Sequence, residues 1–151
     1  MTFGVSYDFT DQLTAEFDYV VTGWESYDKL TVTFDDPVGG STESTANKNY
    51  QNSASLRLGL EYRLNDEFAL RGGYMRDNHA VPDEDVEPSL PEGDRDIYNI
   101  GFGYKIGAIT IDGYYMQLMQ KDRVITNQVN DFNGTYKAVS ALYGLSFGYA
   151  F

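Results

Sequence analysis

Apolar side chains occupy alternate positions along most of the chain. Phe3, Val5, Tyr7 and Phe9 alternate with Gly4, Ser6 and Asp8. After the polar pair Asp11-Gln12, Leu13, Ala15, Phe17, Tyr19 and Val21 alternate with Thr14, Glu16, Asp18, Val20 and Thr22. The same period of two returns in Leu56, Leu58, Leu60, Tyr62 and Leu64; in Phe68, Leu70, Gly72 and Tyr74; in Tyr98, Ile100, Phe102 and Tyr104; and in Val139 through Phe151. Side chains alternate across a strand, and β-branched and aromatic residues suit a pleated surface, so this spacing predicts strands. No segment sustains a helical period. The chain reads as all-β and antiparallel, with strands at roughly 2–10, 12–34, 47–64, 67–77, 95–105, 108–122 and 136–151.

The connections are of two kinds, and they alternate. Asp11-Gln12, Asn65-Asp66 and Ile106-Gly107 are tight turns, whereas 35–48, 78–94 and 123–135 are long and polar and hold all four prolines. In an up-and-down meander this places every short turn at one end and every long loop at the other, as in a membrane β-barrel. One phase break interrupts the pattern. Apolar residues are odd-numbered from Leu13 to Val21 but even-numbered in Leu30, Val32 and Phe34. A bulge within Gly23–Lys29 would restore the register; alternatively Leu30–Phe34 projects beyond the membrane.

Seven strands raise a closure problem, because the first and last then run parallel, whereas single-chain bacterial barrels close with an even number. Either the second strand splits at Trp24–Asp28 to give eight, or the chain is an incomplete portion of a larger barrel. The whole of 1–151 is expected to form one transmembrane barrel or half-barrel domain.

Composition narrows the class. There are 23 acidic against 11 basic residues, a net charge of −12, which disfavours nucleic acid as a partner. Cysteine is absent, which removes thiol nucleophiles, thiolate metal sites and disulfides. No apolar run approaches the roughly 20 residues of a membrane helix, but lipid-facing residues at alternate positions need none. Residues 1–6 show neither the basic segment nor the apolar core of a signal peptide. The signal is therefore expected to have been removed, or to belong to a longer chain.

Three features favour an outer lipid face and a wet interior over a ligand-binding soluble barrel. Tyr and Phe cluster near strand ends, as in interfacial girdles. Arg57, Glu61, Arg63, Arg71 and Asp18 fall on the opposite face, where a small dry barrel could not hold them cheaply. The chain also ends on the alternating aromatics Phe147, Tyr149 and Phe151. Candidate lumen-lining residues are Arg57, Glu61, Arg71, Asp112, Tyr114 and Met116. The charged members could guide a substrate carboxylate or simply pair across strands. If Asp112 faces the lumen, then Tyr114, Met116 and Leu118 add an apolar patch suited to a greasy ligand.

The carboxylates of Asp83–Asp85 and Glu92–Asp94 do not match a calcium-loop spacing and read as a solvated loop. His79, the single histidine, could serve as a base for Ser89, but nothing around either marks a nucleophile. The chain is expected not to be an enzyme and to need no metal or cofactor. Asn133-Gly134-Thr135 reads as a turn.

Several stretches, in order, resemble the C-terminal half of the long-chain fatty acid outer-membrane transporter (FadL) family and its aromatic-hydrocarbon relatives. They are Ala15-Glu16-Phe17-Asp18-Tyr19 leading to Trp24 and Leu30; Leu56-Arg57-Leu58-Gly59-Leu60-Glu61-Tyr62; Leu70-Arg71-Gly72-Gly73-Tyr74; Ala80-Val81-Pro82-Asp83; Leu90-Pro91-Glu92-Gly93-Asp94-Arg95; Ile100-Gly101-Phe102-Gly103-Tyr104; and the terminal aromatic strand. The resemblance implies the last seven strands of a fourteen-stranded barrel plugged by an N-terminal hatch, in the bacterial outer membrane. It implies passive uptake of fatty acids or other hydrophobic compounds, which enter from outside and leave sideways into the bilayer. Lipid, hydrophobic small molecules, fatty acids and detergent are the implied partners. The strand ending at Phe151 resembles the assembly signal of outer-membrane proteins, departing from it at Ser146. A small structural or engineered barrel without a transport role is the alternative.

Overall fold

A computed structural model describes residues 1–88, 91–126 and 131–151. Seven strands form one antiparallel sheet: β1 (Thr2–Asp8), β2 (Leu13–Thr22), β5 (Ser53–Arg63), β6 (Phe68–Asp77), β7 (Arg95–Ile106), β8 (Ile109–Gln120) and β11 (Val139–Tyr149). Their spatial order follows the chain, as a meander built on alternating patterning requires. Two hairpins lie outside this sheet: β3 (Lys29–Val38) with β4 (Ser41–Asn47), and β9 (Arg123–Ile125) with β10 (Gly134–Tyr136). Among the described residues no helix is long and apolar enough to cross a membrane.

The second strand is shorter than the alternation predicts. It ends at Thr22, where Gly23 and a 3-10 turn over Trp24–Ser26 redirect the chain. The even-numbered Leu30, Val32 and Phe34 therefore belong to a separate hairpin, with no bulge needed within a continuous strand and no eighth strand added to the sheet. Consecutive Gly39 (φ 61) and Gly40 (φ 84) close that hairpin, since two positive φ values match the twist of a two-residue turn. The expected loop 35–48 is thus mostly strand, and Pro37 lies within β3, beside a register shift between Thr33 and Val38. Proline is tolerated at such an irregular edge. The expected loop 123–135 likewise holds β9 and the start of β10.

The short turns are fixed by side chains. Thr10 Oγ1 accepts from the Gln12 and Leu13 N–H groups, and Asn65 Oδ1 from those of Glu67 and Phe68. Such Asx- and Thr-type bonds stand in for a backbone turn. Gly107, at φ 58, supplies the third turn.

Register preserves the alternation from strand to strand. On one face Phe17 opposes Leu58, Leu58 opposes Tyr74, and Tyr74 opposes Tyr98. Further along, Tyr104 opposes Ile111, and Ile111 opposes Phe147. This apolar face is bare: Tyr143 is 84% exposed and Phe147 74%. An exposed apolar surface of this extent marks an interaction surface and not a soluble exterior. Tyr74 and Tyr98 lie toward its long-connection end, with Tyr115 and Tyr143 one register row nearer the middle, and Tyr62, Phe68, Tyr104 and Tyr149 lie toward the short-turn end. Such bands suit two membrane interfaces.

The protein's one dry core, among the described residues, sits away from the sheet. Val81, Val86 and Ile125 are almost completely buried, with Tyr50 and Tyr136 packed against them. The long connections thus fold together into a cap.

Candidate functional site on the polar face

All six residues expected to line a lumen fall on the face opposite the apolar one. Glu61 pairs with Arg71, Arg71 with Gly101, Gly101 with Tyr114, and Tyr114 with Gly144. The neighbouring row toward the short turns carries Gly103, Asp112 and Ser146. The rows toward the cap carry Asn99, Met116 and Leu142, then Asp18, Arg57, Met75, Ile97 and Leu118. The uncertainty over β8 is resolved by this register. Asp112, Tyr114, Met116 and Leu118 share the polar face, and Ile109, Ile111, Gly113 and Tyr115 the apolar one.

Arg71 is the electrostatic hub. Its Nε donates to Glu61 at 2.8 Å and its Nη1 to Asp112 at 2.9 Å, while Glu61 also accepts from Arg63 Nε at 3.0 Å. One guanidinium with two separately directed donors thus ties three strands together. Arg57 behaves differently. It is exposed and has no hydrogen bond or ion pair among the described residues, although Asp18 opposes it in register. Asp18 instead leans over Gly4 on the neighbouring strand.

That leaning is general. Asn99 lies over Gly73, Thr110 over Gly148, Tyr114 over Gly144, and the Asp112–Arg71 pair over Gly103. With glycine beneath them, long side chains lie along the wall and leave room above it. Two adjoining hollows result. One of about 370 Å³ is lined by Asp18, Arg57, Glu61, Arg71 and Asn99, and one of about 480 Å³ by Arg71, Asn99, Asp112, Tyr114 and Ser146. Asn99 and Ser146 were not among the expected lining residues, because uncharged polar residues among alternating strands carry no distinctive signal.

At the cap, Arg123 is buried and holds four contacts. Nε and Nη2 donate to Asp83 at 3.0 and 2.6 Å, Nη1 to the Glu92 carbonyl at 2.6 Å, and Nη2 to the Val81 carbonyl at 2.6 Å. The Glu92 carboxylate accepts from the Ala80 and Val81 N–H groups. Asp94 accepts from Arg76 Nη2 at 2.6 Å and from the His79 N–H, with His79 Nδ1 at 2.7 Å. Burial pushes the Asp94 carboxyl upward, but the His79 hydrogen bonds and the nearby Arg76 charge outweigh it and hold the group below its ordinary range.

Asp83, Glu92 and Asp94 therefore hold the cap together, while Glu84 and Glu87 stay exposed, so the expectation of a solvated loop holds for only part of the segment. Ala80-Val81-Pro82-Asp83 and Pro91-Glu92-Gly93-Asp94-Arg95 clasp each other. Among the described residues no acidic or histidine cluster has a metal-holding arrangement. His79 serves Asp94, and Ser89, like Leu90, lies outside the described residues.

A family model described as outer membrane protein transport protein (OMPP1/FadL/TodX) matches residues 1–151. Outer membrane protein P1 of Haemophilus influenzae is 28% identical over 158 residues, covering 96% of this chain and 33% of that protein. The crystal structure of a Pseudomonas aeruginosa FadL homologue superposes with a TM-score of 0.76 at 24% identity, over 98% of this chain and 34% of that one. That of the Ralstonia pickettii toluene transporter TbuX gives 0.63 at 22%, over 98% and 32%. The chain spans about a third of the length of each relative, so its seven-stranded sheet corresponds to part of a larger barrel. An alternating sheet bare on its apolar side and charged on the other is what a bilayer and a wet lumen require, and with the match along its whole length the chain belongs to the OMPP1/FadL/TodX family of outer-membrane transport proteins.

Proposed function

We propose that this chain forms the C-terminal wall of a passive outer-membrane channel for long-chain fatty acids and similar amphiphiles, its polar face lining the lumen. Arg57, Glu61, Arg71, Asp112, Tyr114 and Met116 form the lining. The carrying observation is the row that places the unpaired Arg57 beside Met75, Ile97 and Leu118, with Met116 and Leu142 in the adjacent row. A cation at one end of an apolar strip matches a carboxylate joined to a hydrocarbon chain. Methionine adapts to varied chain shapes, and a charge-assisted bond to the head group fixes its polarity. Arg63, Arg71, Arg76, Arg95 and Arg123 are already committed to protein acids. The cap stands where substrate arrives from outside, and β11 with Phe151 two residues beyond it is the contact for the assembly machinery. No covalent step or cofactor is involved.

The test is uptake of a labelled fatty acid and the matching fatty alcohol into vesicles carrying the protein. Arg57→Gln is expected to slow the acid about tenfold, the equivalent of one charge-assisted bond of about 1.5 kcal/mol, and to leave the alcohol unchanged. Uptake no faster than in protein-free vesicles removes the transport reading. Equal effects on acid and alcohol remove the carboxylate role.

A further inference from the structure

The apolar face carries a depression of its own. It measures about 620 Å³, within the range of small-molecule sites; Leu70, Ile100, Phe102, Tyr115, Tyr143 and Leu145 line it around Gly113, and the polar-face residues Arg71, Gly101, Tyr114 and Gly144 complete its wall. Gly113 interrupts an otherwise filled series on β8, where Ile109, Ile111 and Tyr115 each present a side chain to this face. Phe102 and Leu145 lean toward the gap, so that a Cβ on Gly113 would lie 2.5 Å from the Phe102 ring and 3.0 Å from Leu145. The result is a trough with an aromatic and aliphatic floor and two tyrosines at its cap-side end.

We infer that this trough binds one acyl chain of a membrane lipid, with the lipid's ester region at Tyr143. The inference rests on the reading that the apolar face meets the bilayer. Continuity with that interface identifies the occupant: no element of the chain covers the trough among the described residues, and its lining is almost wholly hydrocarbon. The Tyr143 hydroxyl makes no hydrogen bond among the described residues, whereas Tyr115 donates to Gln117 Oε1 at 2.6 Å. Tyr143 thus keeps a donor for an ester carbonyl, one register row inside the Tyr74–Tyr98 pair that stands toward the membrane interface.

The hollow lined by Asp112 and Tyr114 lies directly behind, and the two share the strand segments around Gly101, Tyr114 and Gly144 as a common wall. The pairing of β6 with β7, β7 with β8 and β8 with β11 runs unbroken through Leu70–Phe102, Phe102–Gly113 and Gly113–Leu145. A chain seated here therefore comes from the bilayer and not from the lumen.

Native mass spectrometry of the detergent-extracted protein tests the inference, with Ile100→Trp to fill the trough from an exposed position and Leu58→Trp as a control elsewhere on the same face. One phospholipid or lipid A molecule is expected to survive activation that strips detergent. Its occupancy should fall at least fivefold in Ile100→Trp and be unchanged in Leu58→Trp. No retained lipid, equal retention in both variants, or retention of a free fatty acid overturns it. A spin label at Leu58 checks the underlying reading. If water-soluble quenchers reach the label, the apolar face does not meet lipid; if they do not and no lipid is retained, the trough alone fails.

Discussion

Tyr114 lies across the bare backbone of Gly144, so close that a Cβ on the glycine would stand 2.5 Å from the tyrosine ring. The two oppose each other in register between β8 and β11, and the missing side chain lets the ring lie along the wall. Gly144→Val would force the ring off the wall, overpacking the site at a cost of about 1–3 kcal/mol. Denaturant midpoints in detergent should fall accordingly, and uptake of bulky substrates should fall with them. A Gly144→Val, Tyr114→Ala double variant should recover both.

Arg71 joins Glu61 and Asp112 in a wet environment, with roughly half of its own side chain exposed. Each such ion pair is worth at most about 1 kcal/mol, so Arg71→Met should lower stability by about 1–2 kcal/mol and leave folding intact. The larger expected change is in permeation. Two carboxylates lose a counter-charge, and bilayer conductance should become more cation-selective. Unchanged selectivity would show that the charges merely hold strands together.

Arg123 combines burial with four hydrogen bonds, and breaking a buried charged arrangement costs about 3–5 kcal/mol where the partners cannot rehydrate. Here the loss is confined to the cap. Arg123→Met should raise hydrogen exchange at Ala80–Val86 and around Ile125, while the amides of β5 to β8 keep their protection. A uniform loss across the sheet would contradict this division.

The Asp94 anchor sets an acid limit. Its carboxyl is held below the ordinary carboxylate range, so its contribution is present above the unfolded value of about 3.9. That contribution is lost as pH falls through the lower folded value. Protease nicking within 78–94 is therefore expected to stay slow from neutrality to about pH 4 and to rise below it. Asp94→Asn should nick readily even at neutral pH. A wild-type rise already at pH 6 would place the acid limit in another group.

The faces of the sheet were legible because a period of two has a single structural meaning once strands pair. From Leu56-Arg57-Leu58 to Ile111-Asp112-Gly113, one parity holds most of the apolar set and the other most of the charges, and the pattern weakens only toward the cap, where Arg76 and Asp96 join the apolar parity and Met75, Ile97 and Leu118 the polar one. The facing of β8 needed its partners, since Tyr, Met and Leu occupy both of its parities. The end of β2 was hidden because Leu30, Val32 and Phe34 also alternate, and hairpin and sheet strand look alike locally. The cap left almost no trace. Val81, Val86 and Ile125 are single apolar residues among polar ones, and they form a core only through contacts between distant connections. Arg57 was named, but its lack of a partner is a matter of geometry: Asp18 opposes it in register and leans elsewhere.

The cap also orders events in time. Arg123 meets Asp83 and Val81 across 40 and 42 residues, and closing such long loops makes non-local contacts late to form. The clasp can therefore be completed only after the hairpin of β7 and β8 has brought Arg123 beside the connection between β6 and β7. To separate those strands again, a dry core and a charged anchor would first have to open, so the cap is expected to slow unfolding more than its share of the equilibrium stability suggests.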